Sequence, residues 1–279
     1  MALLHVLGLE VVSEAGSDPS ARPIVLVHGA WHAASCWGEG FMARLASRGG
    51  DVHALSLRGH GASAGRDRLK WHRIRDYVDD LRRVVDAIDG IPVLVGHSMG
   101  GYVVRKYLEE APRAAAAVLL APVPRHGAAG INWRFLRANP MGSLTALRSL
   151  SLWPLVSTPA KARAMFLSGS VPDEDAGRRH DGLQDESFRA YLDLLGLDRC
   201  RSGLPAVPIL VLGAGDDALF TPQQIEGVAR ACGTTAEIFP GMAHDMMLEP
   251  GWETVADRIV AWVRSTVETA SPAIGSFRT

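Results

Sequence analysis

The chain has 279 residues, of which 47% are hydrophobic and 21% are charged. This balance is typical of a folded globular protein, and the length is sufficient for one large domain with its own core. The formal net charge of −1 excludes the strong basic field with which proteins hold nucleic acid or anionic lipid. We therefore expect neither nucleic acid nor a membrane among its partners. The cysteine content, described next, leads us to expect a cytoplasmic protein.

No part of the sequence approaches the ~18 uninterrupted apolar residues of a membrane-spanning helix. The apolar stretch 1–9 lacks a basic start, so it predicts a first strand rather than a signal peptide. The three cysteines, Cys36, Cys200 and Cys232, have no metal-binding spacing and are expected to be free thiols.

Short apolar runs alternate with segments of helical periodicity along the chain. Val78, Leu81 and Val85 show the helical spacing, whereas the continuous apolar runs are typical of strands buried on both faces. After residues 1–9, strands are predicted over residues 24–27, 52–57, 93–95, 116–121, 209–213 and 235–239, and helices over residues 41–48, 74–88, 101–108, 222–232 and 255–267. This alternation predicts an α/β fold with a mostly parallel sheet and helices on both faces.

Residues 125–204, hereafter the insertion, interrupt the alternation with a helical pattern. Four prolines divide it into short helices: Pro140, Pro154, Pro159 and Pro172. Since the insertion lies between two strands whose carboxyl ends share one edge, we interpret it as a helical cap, or lid, over that edge. A simple extension of the core is the alternative. Residues 1–124 and 205–268 then form the α/β core, and the polar tail 269–279 is expected to be disordered.

The sequence Gly96-His97-Ser98-Met99-Gly100 lies between a predicted strand and a predicted helix. A G-x-S-x-G pattern in this position is the signature of a nucleophile elbow. The turn is so sharp that a Cβ at the flanking positions would clash, and it leaves the serine hydroxyl at the carboxyl end of the sheet. We therefore predict that Ser98 is a nucleophile.

A serine hydroxyl becomes a good nucleophile when a histidine held by a carboxylate accepts its proton. With this elbow, the acid and then the histidine follow the serine along the chain. Asp216 and Asp217 follow one strand and His244 follows the next, in that order. We favour Asp217 over Asp216 because it immediately precedes the next helix, and we interpret His97 as packing beneath the turn.

The negative oxygen formed on attack needs two backbone N–H donors. The residue after the nucleophile, Met99, is expected to supply one. The loop after strand 24–27 should supply the other, with Ala30 as the donor. Gly29 would let the backbone approach the substrate, and His28 would hold the loop in place.

Five segments in order resemble the α/β-hydrolase fold family of serine hydrolases over residues 25–267. They are residues 27–31, 57–63, 96–101, 213–217 and 241–244. The loops around His28 and His244 are similar to the small esterase and hydroxynitrile-lyase branch. The lyases of that branch carry a lysine after the catalytic histidine to hold the nitrile, whereas this chain has Asp245. The resemblance implies the α/β-hydrolase fold with a lid insertion, and it favours hydrolysis over cyanide chemistry.

These observations predict a hydrolase that cleaves a carboxylic ester through an acyl-enzyme, with a small-molecule substrate, no cofactor and no metal. The pocket for a small or apolar acyl or aromatic group is expected to include Trp31, Trp133, Phe135, Met165 and Phe166. A monomer or homodimer is expected. The alternative is a cofactor-independent lyase, decarboxylase or cyclase that acts on a natural-product intermediate and uses the same triad for acid–base chemistry. A ligand-binding receptor is disfavoured because every catalytic position is filled.

Overall fold

An eight-stranded sheet forms the centre of the protein. The computed structural model describes residues 1–110, 112–124, 140–201 and 207–268. The strands are β1 (Ala2–Val6), β2 (Leu9–Glu14), β3 (Ile24–Val27), β4 (Val52–Leu55), β5 (Val93–His97), β6 (Ala116–Leu120), β7 (Ile209–Ala214) and β8 (Ala236–Phe239). Their order is β1-β2-β4-β3-β5-β6-β7-β8. The pairs β1–β2 and β2–β4 are antiparallel and the other neighbouring pairs are parallel, which confirms the expected mostly parallel sheet.

Helices cover both faces of the sheet. Those of the described residues are α1 (Gly38–Ala46), α2 (Ile74–Ala87), α3 (Met99–Leu108), α4 (Pro140–Ser149), α5 (Pro159–Phe166), α6 (Asp173–Asp181), α7 (Phe188–Leu192), α8 (Pro222–Ala231) and α9 (Trp252–Val263). Val25 and Val27 of β3 pack with α2, α3 and α8, whereas Ile24 and Leu26 pack with α1 and α9. Because successive strand residues point to opposite faces, a continuous apolar run fits burial on both sides.

The prediction of a single strand over residues 1–9 is wrong. Leu7 and Gly8 take positive φ values of 50° and 83° and turn the chain back, so that β1 and β2 pair as an antiparallel hairpin. The sequence pattern missed β2 because only Leu9 and Val11 of this strand are fully buried, and a strand that is buried on one face has no continuous apolar run.

In the insertion, the described residues 140–201 form α4 to α7 with short 3₁₀ and π segments and contain no strand. Hydrogen bonds join the insertion to loops at the carboxyl edge of the sheet. The Gln184 N–H donates to the Trp31 carbonyl at 2.9 Å, and the Asp245 N–H donates to the Phe166 carbonyl at 3.0 Å. The predicted limits of the insertion and the tail 269–279 lie outside the described residues, so the domain division stays a prediction.

Across the ranges of the chain that the structure describes, no helix is long and apolar enough to cross a membrane.

The turn between β5 and α3 brings three backbone segments into close contact. Ser98 has a φ of 52°, in the left-handed region that side chains rarely adopt. A Cβ on Gly96 would lie 2.5 Å from the Gly100 carbonyl oxygen, and a Cβ on Gly100 would lie 2.2 Å from the Val27 carbonyl oxygen. Both distances are far below van der Waals contact, so only glycine permits this packing of α3 against β3 and β5.

Replacing Gly100 with alanine is expected to destabilise the fold, because the new Cβ would meet the backbone of Val27 and His28. Overpacking of this kind costs about 1–3 kcal/mol of unfolding free energy, which urea unfolding followed by circular dichroism measures. Gly177→Ala in α6 is the matched control, since a Cβ there meets no atom within 4 Å. We expect that variant to be unchanged or stabilised by up to ~1 kcal/mol. Equal stability of the two variants would contradict the tight turn.

Candidate active site

Ser98 lies at the carboxyl end of β5, where α3 begins. Its N–H donates to the Leu120 carbonyl at 2.9 Å, and its carbonyl accepts from the Tyr102 N–H at 3.2 Å. The neighbouring strand and the helix therefore hold the Ser98 backbone from both sides, and the residue is 7% exposed. The first N–H groups of a helix, which here start at Met99, have no partner within the helix and attract negative charge.

His244 and Asp217 form a buried, hydrogen-bonded pair at the same edge of the sheet. Nδ1 of His244 lies 2.8 Å from Oδ2 of Asp217. Oδ1 of Asp217 accepts the N–H groups of Leu219 at 2.7 Å and Phe220 at 3.1 Å. Because an ionised carboxylate only accepts hydrogen bonds, Nδ1 of His244 donates, and Nε2 is left as the acceptor that a general base needs.

Only one of the two candidate acids bonds to His244. The Asp216 side chain is exposed, and its backbone N–H donates to the Met242 carbonyl at 2.9 Å. That bond joins the loop after β7 to the loop after β8. The geometry therefore favours Asp217 as the carboxylate that orients His244, while its participation in catalysis stays a prediction.

His97 connects the turn that carries Ser98 to the loop that carries His244. The centroids of the His97 and His244 rings are 4.8 Å apart, and Nε2 of His97 lies 3.0 Å from the His244 carbonyl oxygen. Burial and the nearby His244 lower the pKa of His97 to about 3, so the ring is neutral and its Nε2–H donates. Direct contact between the Ser98 hydroxyl and Nε2 of His244 stays a prediction.

Residues 28–32, which follow β3 and are here called the β3 loop, lie against Ser98. A Cβ on Gly29 would lie only 3.1 Å from the Ser98 Cβ. Nδ1 of His28 donates to the Gly29 carbonyl at 2.8 Å, and its Nε2 accepts the Leu57 N–H at 3.0 Å. Burial holds the pKa of His28 well below its usual 6.5, which suits this neutral arrangement. His28 therefore fastens the loop to the end of β4.

A cavity of about 40 Å³ with almost wholly apolar walls opens onto Ser98. Residues of the core and of the insertion line it: Ala30, Trp31, Ser98, Met99, Val123, Leu152, Glu186, Tyr191, Leu194, Leu219 and Phe220. The two predicted oxyanion donors thus lie on the same cavity as the predicted nucleophile. That they bind an oxyanion stays a prediction.

The five residues that were predicted to form the substrate pocket do not all line this cavity. Trp31 lines the cavity. Met165 and Phe166 are buried and do not line this cavity, and the Phe166 ring centroid lies 6.2 Å from that of His244. Their part in a substrate pocket stays a prediction. Trp133 and Phe135 lie outside the described residues.

Four cavity residues come from the insertion and were missed by the sequence analysis: Leu152, Glu186, Tyr191 and Leu194. Short helices divided by prolines have too few turns for periodicity to show which side faces a cavity. No signal in the sequence distinguished them from other insertion residues.

A larger surface groove of about 810 Å³ lies at the opposite edge of the sheet. It is lined by Pro23, Asp51 and Ile91, which precede β3, β4 and β5. None of the three predicted catalytic residues lines it. We therefore place the candidate site at the smaller cavity, where the nucleophile, the base and the helix N-terminus lie at one edge.

A second buried pair, which the sequence analysis did not predict, holds the β3 loop. Nε2 of His32 lies 3.1 Å from Oδ2 of Asp245, and Nδ1 lies 2.8 Å from the Ala30 carbonyl oxygen. Since both partners are acceptors, both ring nitrogens of His32 must donate, and the ring is an imidazolium. Burial lowers the pKa of His32, but the charge and hydrogen bond of Asp245 outweigh burial, and the pKa is raised above 6.5.

The ligand atoms of His97, His244 and Asp245 all lie within 4.8 Å of one another, which is close enough to consider a metal ion. However, Nδ1 of His244 bonds to Asp217 and Nε2 of His97 lies against a carbonyl oxygen. A metal ion bound through these two nitrogens would have to break both hydrogen bonds. The bonds present are those of a hydrogen-bond network that links the three residues to their neighbours.

Comparison with known proteins assigns the chain to a family. The model of the "Alpha/beta hydrolase family" matches residues 24–258, and the chain belongs to this family. A monoacylglycerol lipase of Mycolicibacterium smegmatis is 27% identical over 262 residues, which cover 87% of this chain and 88% of the relative.

Among solved structures, the chain is similar to a thermophilic esterase from Thermogutta terrifontis, with a TM-score of 0.74 and 21% identity over 96% of this chain and 100% of that one. It is also similar to a monoacylglycerol lipase of Paleococcus ferrophilus, with a TM-score of 0.67 and 21% identity over 95% of this chain and 100% of that one. At this identity, the likeness shows the fold alone.

The His32–Asp245 pair predicts a specific dependence of stability on pH. Burial would raise the pKa of Asp245, but His32 lowers it below 3.8. The stabilisation by Asp245 is therefore present above about pH 4. Because the pKa of His32 is raised in the folded protein, the protonated ring stabilises the fold fully below about pH 6.5. This contribution of His32 to the unfolding free energy is lost as the pH rises through the pKa of His32 in the folded protein. We expect Asp245→Asn to lower the unfolding free energy most near pH 5–6, by about 3 kcal/mol, and by less at pH 8–9.

Urea unfolding across this pH range measures the effect. Asp257→Asn is the control, because the partners of Asp257 are Arg44 and Arg48, which do not lose their charge below pH 9. The loss from that substitution should stay constant from pH 6 to 9. A loss in Asp245→Asn that is equally constant would show that His32 is not the titrating partner.

Proposed function

We propose that this protein is a carboxylic-ester hydrolase with Ser98 as nucleophile, His244 as general base and Asp217 as the acid that orients it. The observation that carries the proposal is the 2.8 Å hydrogen bond from His244 to Asp217, at the same edge of the sheet as the sharp turn of Ser98. The names of similar proteins, monoacylglycerol lipase and esterase, support ester hydrolysis.

In the proposed reaction, Oγ of Ser98 attacks the ester carbonyl carbon and its proton passes to Nε2 of His244. The carbonyl oxygen becomes negative and accepts the N–H groups of Met99 and Ala30. When the tetrahedral intermediate collapses, the proton passes from His244 to the leaving alcohol, and an acyl-enzyme remains. Water then attacks the acyl carbon by the same route, which releases the acid and restores Ser98.

The walls of the cavity favour a small or apolar acyl or aromatic group. Tyr191, Leu194, Leu219 and Phe220 all line it, and they offer mostly apolar contact. The volume of about 40 Å³ is far below the roughly 300 Å³ of a typical ligand pocket. A short acyl group is therefore the best fit to the cavity as it stands.

The lyase alternative gains no support from the site. Asp245 stands where the resemblance places the lysine of the nitrile lyases, and its carboxylate is bonded to His32 inside the protein. The position thus offers a buried negative charge rather than a cation for a nitrile.

Ser98→Ala is expected to abolish both hydrolysis of p-nitrophenyl butyrate and covalent labelling by a fluorophosphonate probe, because the attacking oxygen is removed. Mass spectrometry of the labelled peptide locates the adduct. The exposed Ser170→Ala is the control and should behave as wild type. Turnover that survives in Ser98→Ala would favour acid–base chemistry without an acyl-enzyme and overturn the proposal.

Asp217→Asn is expected to lower kcat about 10³–10⁴-fold, since the amide no longer holds the productive tautomer of His244. The neighbouring Asp216→Asn provides a matched control, because its side chain is exposed and makes no bond to His244. We expect its kcat to stay within about twofold of wild type. Steady-state kinetics with the same ester measure both. The reverse ranking would assign the acid to Asp216.

Leu194→Ala should shift the preference of the enzyme toward longer acyl chains, because the truncated side chain enlarges the cavity. One additional methylene in an apolar pocket is worth about 1–3 kcal/mol, so kcat/KM for the hexanoate ester should rise at least tenfold relative to the acetate ester. Leu197→Ala, at a position that is 65% exposed, should leave this ratio unchanged. An unchanged ratio in Leu194→Ala would place the acyl group elsewhere.

A further inference from the structure

Glu186 of the insertion is a buried carboxylate on the wall of the Ser98 cavity that the proposed mechanism does not use. It is 1% exposed, and it is the only acidic residue among those that line this cavity in the described chain. A buried charge is costly unless it is fully hydrogen-bonded. The hydrogen-bond partners of Glu186 therefore indicate its role.

The donors around Glu186 occupy both of its oxygens. Oε1 accepts the Tyr77 hydroxyl at 2.9 Å and the Ser187 N–H at 2.6 Å. Oε2 accepts the Trp31 N–H at 3.3 Å and lies 3.2 Å from Nε2 of His60. With three hydrogen-bond donors in place and the His60 ring packed beside Oε2, the carboxylate has little capacity left for a substrate group. It joins the insertion to α2, to the turn after β4 and to the β3 loop.

The residue of the β3 loop that Glu186 holds is conformationally strained. Trp31 has a φ of 65°. This backbone conformation costs a non-glycine residue about 1–3 kcal/mol, and it persists only where the surrounding structure holds the residue in place. The insertion supplies the holding bonds. The Trp31 N–H donates to Glu186, the Trp31 carbonyl accepts the Gln184 N–H at 2.9 Å, and the indole Nε1–H donates to the Leu152 carbonyl at 3.4 Å.

This strained residue directly follows Ala30, whose N–H is the predicted second oxyanion donor. The Ala30 N–H belongs to the Gly29–Ala30 peptide, which the Ala30 Cα joins to the Ala30–Trp31 peptide. A shift of the Trp31 backbone would therefore be transmitted through Ala30 and change the direction of that N–H. Hydrogen bonds weaken steeply as the donor angle falls. The position of Glu186 therefore influences the orientation of the predicted oxyanion donor, and its own atoms need not contact the substrate.

We propose that Glu186 is a positioning residue through which the insertion sets the orientation of the β3 loop and of the Ala30 N–H. The inference rests on the proposed ester hydrolysis. It assigns to the insertion a part in transition-state stabilisation, in addition to lining the cavity. Oxyanion donors act mainly in the transition state, so loss of Glu186 should reduce kcat much more than it changes KM.

Glu186→Gln is the main test variant, since it keeps the size of the side chain but places an amide against donors. We expect kcat for p-nitrophenyl butyrate to fall about 10- to 100-fold, with KM within about threefold of wild type. Glu174→Gln is the matched control, because its side chain in α6 is 83% exposed and lies outside the proposed catalytic and positioning residues. It should have wild-type kinetics. Unchanged kcat in Glu186→Gln, or a change confined to KM, overturns the inference.

A transition-state analogue separates positioning from a general structural effect. An alkyl trifluoromethyl ketone accepts Oγ of Ser98 at its carbonyl carbon, the serine proton passes to His244, and the ketone oxygen becomes an oxyanion. Its Ki should rise in Glu186→Gln in parallel with the loss of kcat/KM, whereas binding of the unreactive methyl ketone should change less. A lowered kcat with an unchanged Ki for the trifluoromethyl ketone would refute positioning of the oxyanion donors.

A substitution of a partner covers the case in which Glu186→Gln does not fold. Tyr77→Phe removes one donor to Oε1 and leaves the Trp31 bond in place, so kcat should fall in the same direction by a smaller factor of about three to ten. Wild-type kcat in a folded Tyr77→Phe variant, together with an unfolded Glu186→Gln, would assign Glu186 to folding alone.

Hydrogen–deuterium exchange tests the inference independently of any substrate. The peptide that contains residues 28–32 should exchange faster in Glu186→Gln than in wild type or Glu174→Gln. If wild type hydrolyses no ester but this exchange difference is found, the proposed function fails and the structural part of the inference stands. If wild type hydrolyses esters and neither exchange nor kcat responds to Glu186→Gln, the inference alone fails.

Discussion

The close approach of α3 to β3 is the constraint on which the site depends. The helix can begin directly beneath Ser98 because Gly96 and Gly100 have no side chains, and the backbone of Gly100 fills the space beside the Val27 carbonyl. This contact places the N-terminal N–H groups of α3 next to the loop that leaves β3. The same loop approaches the nucleophile through Gly29. This sterically restricted turn thus brings the backbone N–H groups of two segments, the start of α3 and the β3 loop, to one cavity.

Buried histidines and carboxylates then hold the loops around this turn, and their charge states follow from their partners. His28 and His97 have partners that a neutral ring satisfies, and burial lowers the pKa of both. His32 lies between a carbonyl and the Asp245 carboxylate, and its pKa is raised despite burial. Burial removes the charge from a histidine unless an acid is placed against it. Of these three rings, only His32 is hydrogen-bonded to an acid, and it joins the β3 loop to the loop of His244.

The insertion contributes to the site in two ways that differ in their physical basis. Its apolar side chains, such as Tyr191 and Leu194, narrow the cavity and thereby bear on the size of the substrate. Its polar groups at Gln184 and Glu186 bond to the backbone of Trp31. A reaction shared by a family can therefore be combined with a substrate preference that belongs to one member, because the predicted catalytic residues lie on the core and part of the cavity wall comes from the insertion.

Much of this arrangement was predictable from the sequence, and the exceptions have physical causes. Strands β3 to β8 and the helices of the core were predicted because continuous apolar runs and helical periodicity are local signals. The β1–β2 hairpin was not, because β2 is only partly buried. Met165 and Phe166 do not line the Ser98 cavity whereas Leu194 does, since apolar character alone does not show which side chains of the insertion face a cavity.

The sequence by itself determined the succession of core strands and helices from residue 24 onward, the place of the serine turn and the order of Ser98, Asp217 and His244 along the chain, because glycine spacing and apolar runs report local backbone requirements. The tertiary structure alone decided which carboxylate bonds to which histidine and which residues enclose the cavity. Asp245 and His32 are 213 residues apart in the chain, and Glu186 and Trp31 are 155 apart. Hydrogen bonds over such separations exist only after the sheet has brought its loops to one edge, and no local pattern encodes them.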